Sequence, residues 1–146
     1  MIAIGSDHAG FEYKEKLKKL LDEIGESYQD FGTTTPDSVD YPDIAHLVSK
    51  LVASGKCLPG ILICGTGIGM SIVANKHKGI RAAACESSAS AKLSREHNDA
   101  NILCFGARIV SWETAAEIVK MFLLTPFSGC ERHMYRIEKI HSLTNL

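Results

Sequence analysis

An α/β fold is predicted for this chain: a doubly wound, Rossmann-like parallel sheet with helices on both faces and a C-terminal tail helix. Two patterns predict it. Short apolar runs that read as buried strands alternate with amphipathic segments roughly every 20 to 30 residues. Polar residues able to do chemistry follow directly after those runs, at Asp7-His8, at Cys64-Gly65-Thr66-Gly67 and at Arg108, where a sheet of this kind binds its ligands. With 146 residues, 45% of them hydrophobic, the chain can bury one good core, so a single domain over 1–146 is expected.

Met1 to Ser6 reads as the first strand, ending in the polar turn Ser6-Asp7-His8-Ala9-Gly10. Tyr13, Leu17, Leu20, Leu21 and Ile24 then fall at helical spacing, with Gly25 as the stop. Tyr28 to Gly32 is a weaker strand signal, and Thr33 to Pro42 a polar loop holding two prolines. A second amphipathic helix starts at Asp43, carries Ile44, Leu47, Val48, Leu51 and Val52, and stops near Gly55.

Gly60 to Cys64 has the apolar, isoleucine-rich character of a strand buried on both faces. A helix is expected from Ile68 to Lys76, a strand over Ile80 to Cys85, a helix from Ser87 to Glu96 ending at His97-Asn98-Asp99, and a strand from Ile102 to Phe105. Ser111 is a good N-cap for a helix with the stripe Trp112, Ala115, Ala116, Val119, Phe122 and Leu123. Pro126 punctuates it, and Glu131 to His141 reads as a tail helix bearing Arg132, His133, Arg136 and Lys139. His97 and Asn98 are expected to share the strands' carboxyl edge with Asp7, His8, Cys64 and Arg108, although a helix intervenes. No repeat, low-complexity tract or linker breaks the chain.

Composition excludes several classes of function. A formal net charge of −1, from 16 basic and 17 acidic residues, argues against nucleic-acid or membrane-surface binding through bulk charge. Any anion site must be a local cluster. Five cysteines without paired short spacings suggest neither a disulfide framework nor a zinc site. Reduced thiols, no amino-terminal targeting pattern and no apolar run of about 18 residues lead to the expectation of a cytoplasmic protein.

The loop Gly65-Thr66-Gly67-Ile68-Gly69 carries the strongest chemical signal. Its glycines let the backbone turn sharply and aim N–H groups at one point, a place suited to negative charge. A dinucleotide fingerprint is the rival reading, with Glu86 near the position of a ribose-binding acid, but the pattern needs a glycine where Met70 stands. The phosphate loop Gly-x-x-x-x-Gly-Lys-Ser/Thr is absent. Cys85 and Cys104 lie in apolar runs and read as core residues. Cys64 differs, since a neighbouring N–H-rich loop favours a thiolate. His97 also suits a helix C-terminal cap, and Arg132, His133 and Arg136 suit a solvated helix face unless they converge on the ligand edge as a phosphate clamp.

Taken together, Ser6-Asp7-His8-Ala9-Gly10-Phe11, Asp40-Tyr41-Pro42, Gly60-Ile61-Leu62-Ile63-Cys64-Gly65-Thr66-Gly67, Ala74-Asn75-Lys76, Gly79-Ile80-Arg81-Ala82, Ser94-Arg95-Glu96-His97-Asn98-Asp99-Ala100-Asn101 and Phe105-Gly106-Ala107-Arg108 resemble the type-B ribose-5-phosphate isomerases over nearly the whole chain. That wider family includes galactose-6-phosphate and allose-6-phosphate isomerases. The resemblance implies aldose–ketose isomerisation of a sugar phosphate through an enediolate, with neither metal nor organic cofactor. It implies Cys64 as the base, N–H groups of Gly65, Thr66, Gly67, Ile68 and Gly69 as the oxyanion site, and His97 as the ring-opening acid assisted by Thr66. Asp7 would handle hydroxyl protons, Asn98 would bind a sugar hydroxyl, and His8, Arg108, Arg132 and Arg136 would hold the phosphate. It further implies a homodimer or homotetramer with interface sites, in which His97, Asn98 and Arg108 serve a partner's cysteine. One departure stands out. The family's Gly-Gly-Arg-His is here Gly129-Cys130-Glu131-Arg132-His133, and Glu131 is expected to face solvent, because an inward carboxylate would repel the phosphate.

Overall fold

Five parallel strands form one sheet in the order β2-β1-β3-β5-β4 in the computed structural model, which describes residues 1–146. They are β1 (Ile2–Ser6), β2 (Tyr28–Asp30), β3 (Gly60–Cys64), β4 (Ala82–Ala84) and β5 (Ile102–Gly106). Six helices connect and cover them: α1 (Phe11–Glu23), α2 (Tyr41–Ala53), α3 (Ile68–Ala74), α4 (Ser88–Asn98), α5 (Trp112–Leu124) and α6 (Glu131–Thr144).

The three central strands are buried along their full length, which is why their sequences are continuous apolar runs rather than alternations. Their side chains still alternate between two cores. On one face Ile4, Ile61, Ile63, Leu103 and Phe105 meet Leu17 and Leu21 of α1, Ala91 of α4, and Ile118 and Phe122 of α5. On the other, Ala3, Leu62, Cys64 and Cys104 meet Val48 and Val52 of α2 and Met70 and Ala74 of α3. The doubly wound architecture expected from the sequence is therefore the one observed.

Several boundaries differ from expectation, each for a local reason. Helix α2 begins at Tyr41, so Pro42 belongs to its first turn and the preceding loop ends at Asp40. A proline there loses no hydrogen bond, because the first helical N–H groups have no intrahelical partner. Strand β4 is shorter than the apolar run around it, since the Ile80 N–H turns back to the His77 carbonyl. Ile24 and Leu47 are exposed, at 42% and 44%. Ile24 is the C-cap of α1, beyond its last packed turn, and α2 rests on its smaller residues Ala45, Val48, Ser49 and Val52. Ser111 caps α5 by accepting the Thr114 N–H at 3.2 Å, as expected.

One charged side chain lies wholly inside. Lys14 of α1 is 0% exposed, and its ammonium donates to Asp30 Oδ2 at 2.6 Å and to the Thr33 carbonyl. Burial by itself would raise the Asp30 carboxyl pKa, but the hydrogen bonds from Lys14 and the Gly32 N–H, the Lys14 charge and the Lys18 hydrogen bond outweigh it and hold the group below 3.8. A depressed carboxyl contributes stability that is present above its unfolded pKa and lost as pH falls through its folded pKa. Asp30→Asn should therefore destabilise the protein at pH 7 by about 3 kcal/mol, the low end for breaking a buried pair because Asp30 is partly exposed. Urea midpoints of variant and wild type should converge as pH drops below 3.8.

Candidate active site

The loop after β3 is held by its fit against the end of β5. Gly67 has φ +78°, and a Cβ there would lie 2.8 Å from the Phe105 backbone. Gly106 faces Thr66 so closely that a Cβ would come within 2.5 Å of its carbonyl carbon. Both positions therefore require glycine. The Ala107 N–H donates to the Cys64 carbonyl at 2.9 Å and the Arg108 N–H to the Gly65 carbonyl at 3.0 Å, so the ends of β3 and β5 form one unit.

Within it Cys64 is 4% exposed, and its Sγ accepts the Gly67 N–H at 3.1 Å. Thr66 is exposed and its Oγ1 accepts the Ile68 N–H at 3.2 Å. An open cavity of about 340 Å³ is lined by Cys64, Gly65, Thr66, Ile68, Gly69, Asp7 and Tyr41, within the size range of small-molecule sites. Asp7 is buried, and its Oδ1 accepts the Gly10 N–H at 3.1 Å. His8, next in the chain, takes the Val39 N–H on its Nδ1 at 3.3 Å. An imidazole nitrogen that accepts carries no proton, so Nε2 is the protonated nitrogen of a neutral His8 ring.

His97 and Asn98 are elsewhere, which corrects the expectation that they share this edge. Helix α4 returns antiparallel to the strands it connects and ends at their amino edge. The Asn98 carbonyl accepts Arg81 Nε at 2.9 Å, and Arg81 immediately precedes β4. A strand of five residues puts about 13 Å between the two edges. The arginines Arg132 and Arg136 are on α6, whose His133 ring stacks on His97 with centroids 4.4 Å apart. Arg108 is at the carboxyl edge, where the sequence also put it, and its side chain runs along Gly65 of the loop after β3.

The residues expected to form the site thus fall into two clusters, and the chain itself does not bring them together. Asp7, His8, Cys64, Gly65, Thr66, Gly67, Ile68, Gly69 and Arg108 are at the carboxyl edge; His97, Asn98, Arg132 and Arg136 are at the amino edge. His97, Asn98, Arg108, Arg132 and Arg136 are exposed, and so is Glu131, as expected.

Hydrogen bonding separates the arginines by role. Arg81 spends its guanidinium on the Asn98 and Asp99 carbonyls, the Asp99 carboxylate and His141. Arg95 binds Asp99, the Ala100 carbonyl and the Thr125 carbonyl. Together they hold the left-handed turn at Asp99, φ +44°, that ends α4. No ion pair or side-chain hydrogen bond within the chain uses Arg108, Arg132 or Arg136.

Burial pushes the His133 pKa down, assisted by His97 and the charges of Arg132 and Arg136. Burial likewise raises Cys85, and raises Cys104 well above the ordinary thiol range, in keeping with their reading as core residues. Cys130 is exposed at the N-cap of α6. Two neighbours of the site have no role assigned from the sequence. Tyr41 closes one wall of the cavity, against Gly69, where a Cβ would approach its ring to 2.7 Å. Val39 acts only through its backbone N–H, which leaves no trace in residue type.

This geometry has close counterparts. The profile of the ribose/galactose isomerase family matches residues 2–140. The chain belongs to the ribose/galactose isomerase family. Ribose-5-phosphate isomerase B of Escherichia coli is 46% identical over 142 residues, spanning 97% of this chain and 95% of that protein. D-erythrulose-4-phosphate isomerase of Pectobacterium atrosepticum is 41% identical over 129 residues, spanning 88% and 85%. The solved structure of Clostridium thermocellum ribose-5-phosphate isomerase B superposes with a TM-score of 0.96 at 49% identity, covering 99% of this chain and 97% of that one.

In this family member the Cys64 loop should not tolerate a side chain at position 67. Gly67→Ala should cost about 1–3 kcal/mol through strain and overpacking, measurable by urea unfolding, and should increase alkylation of Cys64 as the loop lifts off β5.

Proposed function

We propose that the protein is an aldose–ketose isomerase that interconverts ribose 5-phosphate and ribulose 5-phosphate, and that two copies of the chain build each active site. The observation that carries this reading is the split of one catalytic set between two opposite edges. A single chain cannot close a five-carbon sugar between Cys64 and His97, whereas a symmetric pair can face one copy's carboxyl edge with the other's amino edge. The proposed unit is a single-domain, cytoplasmic homodimer or homotetramer that acts on a small sugar phosphate.

In the proposed mechanism His97 of one copy donates a proton to the ring oxygen of ribose 5-phosphate while Thr66 assists; the bond from C1 to that oxygen breaks, the C1 hydroxyl gives its proton to water, and the open aldehyde results. Cys64 of the other copy, as thiolate, takes the proton from C2 and returns it to C1. Electrons from the broken C–H bond move onto the carbonyl oxygen, giving an enediolate. N–H groups of the loop from Gly65 to Gly69 stabilise that oxygen, and one such donor is typically worth about 3–4 kcal/mol. Asp7 moves the hydroxyl proton between O1 and O2, and Asn98 binds a sugar hydroxyl. Phosphate is held by His8, Arg108, Arg132 and Arg136, and the three arginines are free of internal partners.

Ribose 5-phosphate is favoured as substrate because the E. coli relative and the C. thermocellum structure are named for it. Comparing kcat/KM for ribose 5-phosphate with allose 6-phosphate, galactose 6-phosphate and erythrulose 4-phosphate tests that choice. The ribose substrate should lead, and a larger value for any of the others would overturn it.

Cys64→Ala should lower kcat by about 10²–10⁴-fold, the range for a positioned base, while sugar phosphate still binds. Mixing inactive Cys64→Ala with inactive His97→Asn should restore up to about a quarter of wild-type activity, because half the pairs are mixed and each has one intact site of two. No recovery after verified subunit exchange would place both residues in one copy's site.

His97→Asn should abolish turnover of ribose 5-phosphate yet leave solvent-deuterium exchange at C1 of bound ribulose 5-phosphate within about tenfold of wild type, or roughly 1.4 kcal/mol in barrier, since that ketose has no furanose to open. Loss of exchange as complete as in Cys64→Ala would assign His97 to the proton transfer.

A further inference from the structure

Lys14 has no role in the chemistry above, yet it is among the largest fully buried side chains in the protein. Lysines are almost never buried without a partner, and a buried ion pair is often no more stabilising than well-packed apolar residues of the same volume. A lysine here calls for a reason beyond packing, and its contacts supply one.

From the first turn of α1 the side chain reaches the far end of β2, where Nζ meets Asp30 Oδ2 at 2.6 Å and the Thr33 carbonyl. Asp30 Oδ1 in turn accepts the Gly32 N–H at 2.9 Å. The same short stretch is fastened to the last residue of β1. The Thr33 N–H donates to the Ser6 carbonyl at 3.2 Å, and Gly32 lies so close that a Cβ would be 2.5 Å from the Ser6 nitrogen. Ser6 directly precedes Asp7 and His8.

The chain then leaves through a turn closed by Thr35 and Asp37 and comes back at Val39, whose N–H points at His8 Nδ1. One end of this excursion is anchored by Lys14 and the other by the start of α2 at Tyr41. Without the ammonium, Asp30 keeps Lys18 at 3.3 Å but the Thr33 carbonyl loses its lysine donor.

We propose that Lys14 is a positioning residue for His8: its buried ammonium fixes residues 30–33 on the end of β1, so that the Val39 N–H caps His8 Nδ1 and presents Nε2–H to the ligand. The functional consequence rests on His8 as a phosphate ligand; the tautomer does not. With Nδ1 occupied, His8 meets a phosphate oxygen as an oriented Nε2–H donor rather than as a freely turning ring.

The test is the Lys14→Met variant of the full-length oligomer, which replaces the ammonium by a side chain of similar length. Imidazole nitrogen chemical shifts at pH 7.5 should show a single Nε2–H tautomer for His8 in the wild type and a mixture of tautomers in the variant. The KM for ribose 5-phosphate should rise about tenfold, within the range for misplaced binding groups, while kcat changes less than about threefold.

A folded Lys14→Met protein in which His8 keeps one tautomer overturns the proposal. Where Lys14→Met does not fold, Asp30→Asn supplies the same readout, with the same mixture expected and the same retention fatal. His8→Ala separates the two levels. An unchanged KM in that variant would refute the phosphate role of His8, and the tautomer result would still decide the role of Lys14.

Discussion

In a parallel sheet each helix must run back against the strands it joins, and this one constraint arranges everything else in the molecule. Residues that follow a strand arrive at the carboxyl edge, and residues that end a helix arrive at the amino edge. Asp7, Cys64 and Arg108 are of the first kind; His97, Asn98 and the cluster beside them are of the second. A chain with all of these side chains still presents them in two places.

Much of the fold was legible because both of its periodicities are strong. Continuous apolar runs gave the three central strands, and Ser111, Gly25 and Gly55 marked helix ends where the structure has them. The Cys64 loop was legible for a similar reason, since glycines forced by the Phe105 and Thr66 backbones are visible as glycines. The shared edge expected for His97 and Asn98 failed on direction. Periodicity marks a helix without saying which edge its last turn reaches, and following the antiparallel return of α4 would have placed them correctly. Val39 and Lys14 were illegible for different reasons. The first works through a backbone N–H available to almost any residue, and the second is a lysine in a helix rich in lysines, told apart only by its burial.

The charges near the two clusters divide into those that build and those that wait. Arg81 and Arg95 share the Asp99 carboxylate around the turn that ends α4 and set the direction of His97 and Asn98. Arg108, Arg132 and Arg136 have no internal carboxylate, and Glu131 points to solvent. An anion arriving there need not displace an existing partner. Burial, with His97 and those same cations, lowers the pKa of His133, whose ring stacks on His97.

The separation of the two clusters also bears on how such a protein can change over generations. After a duplication, two copies that pair with each other would each need to keep only one cluster, since a mixed pair would retain one complete site. Substitutions at the abandoned cluster would then go unselected, and a self-sufficient chain could drift into two mutually dependent ones while its mixed pairs stay active. On the shared site proposed above, a protein with both clusters on one edge has no such route, because any loss there disables the site that its own copy contains.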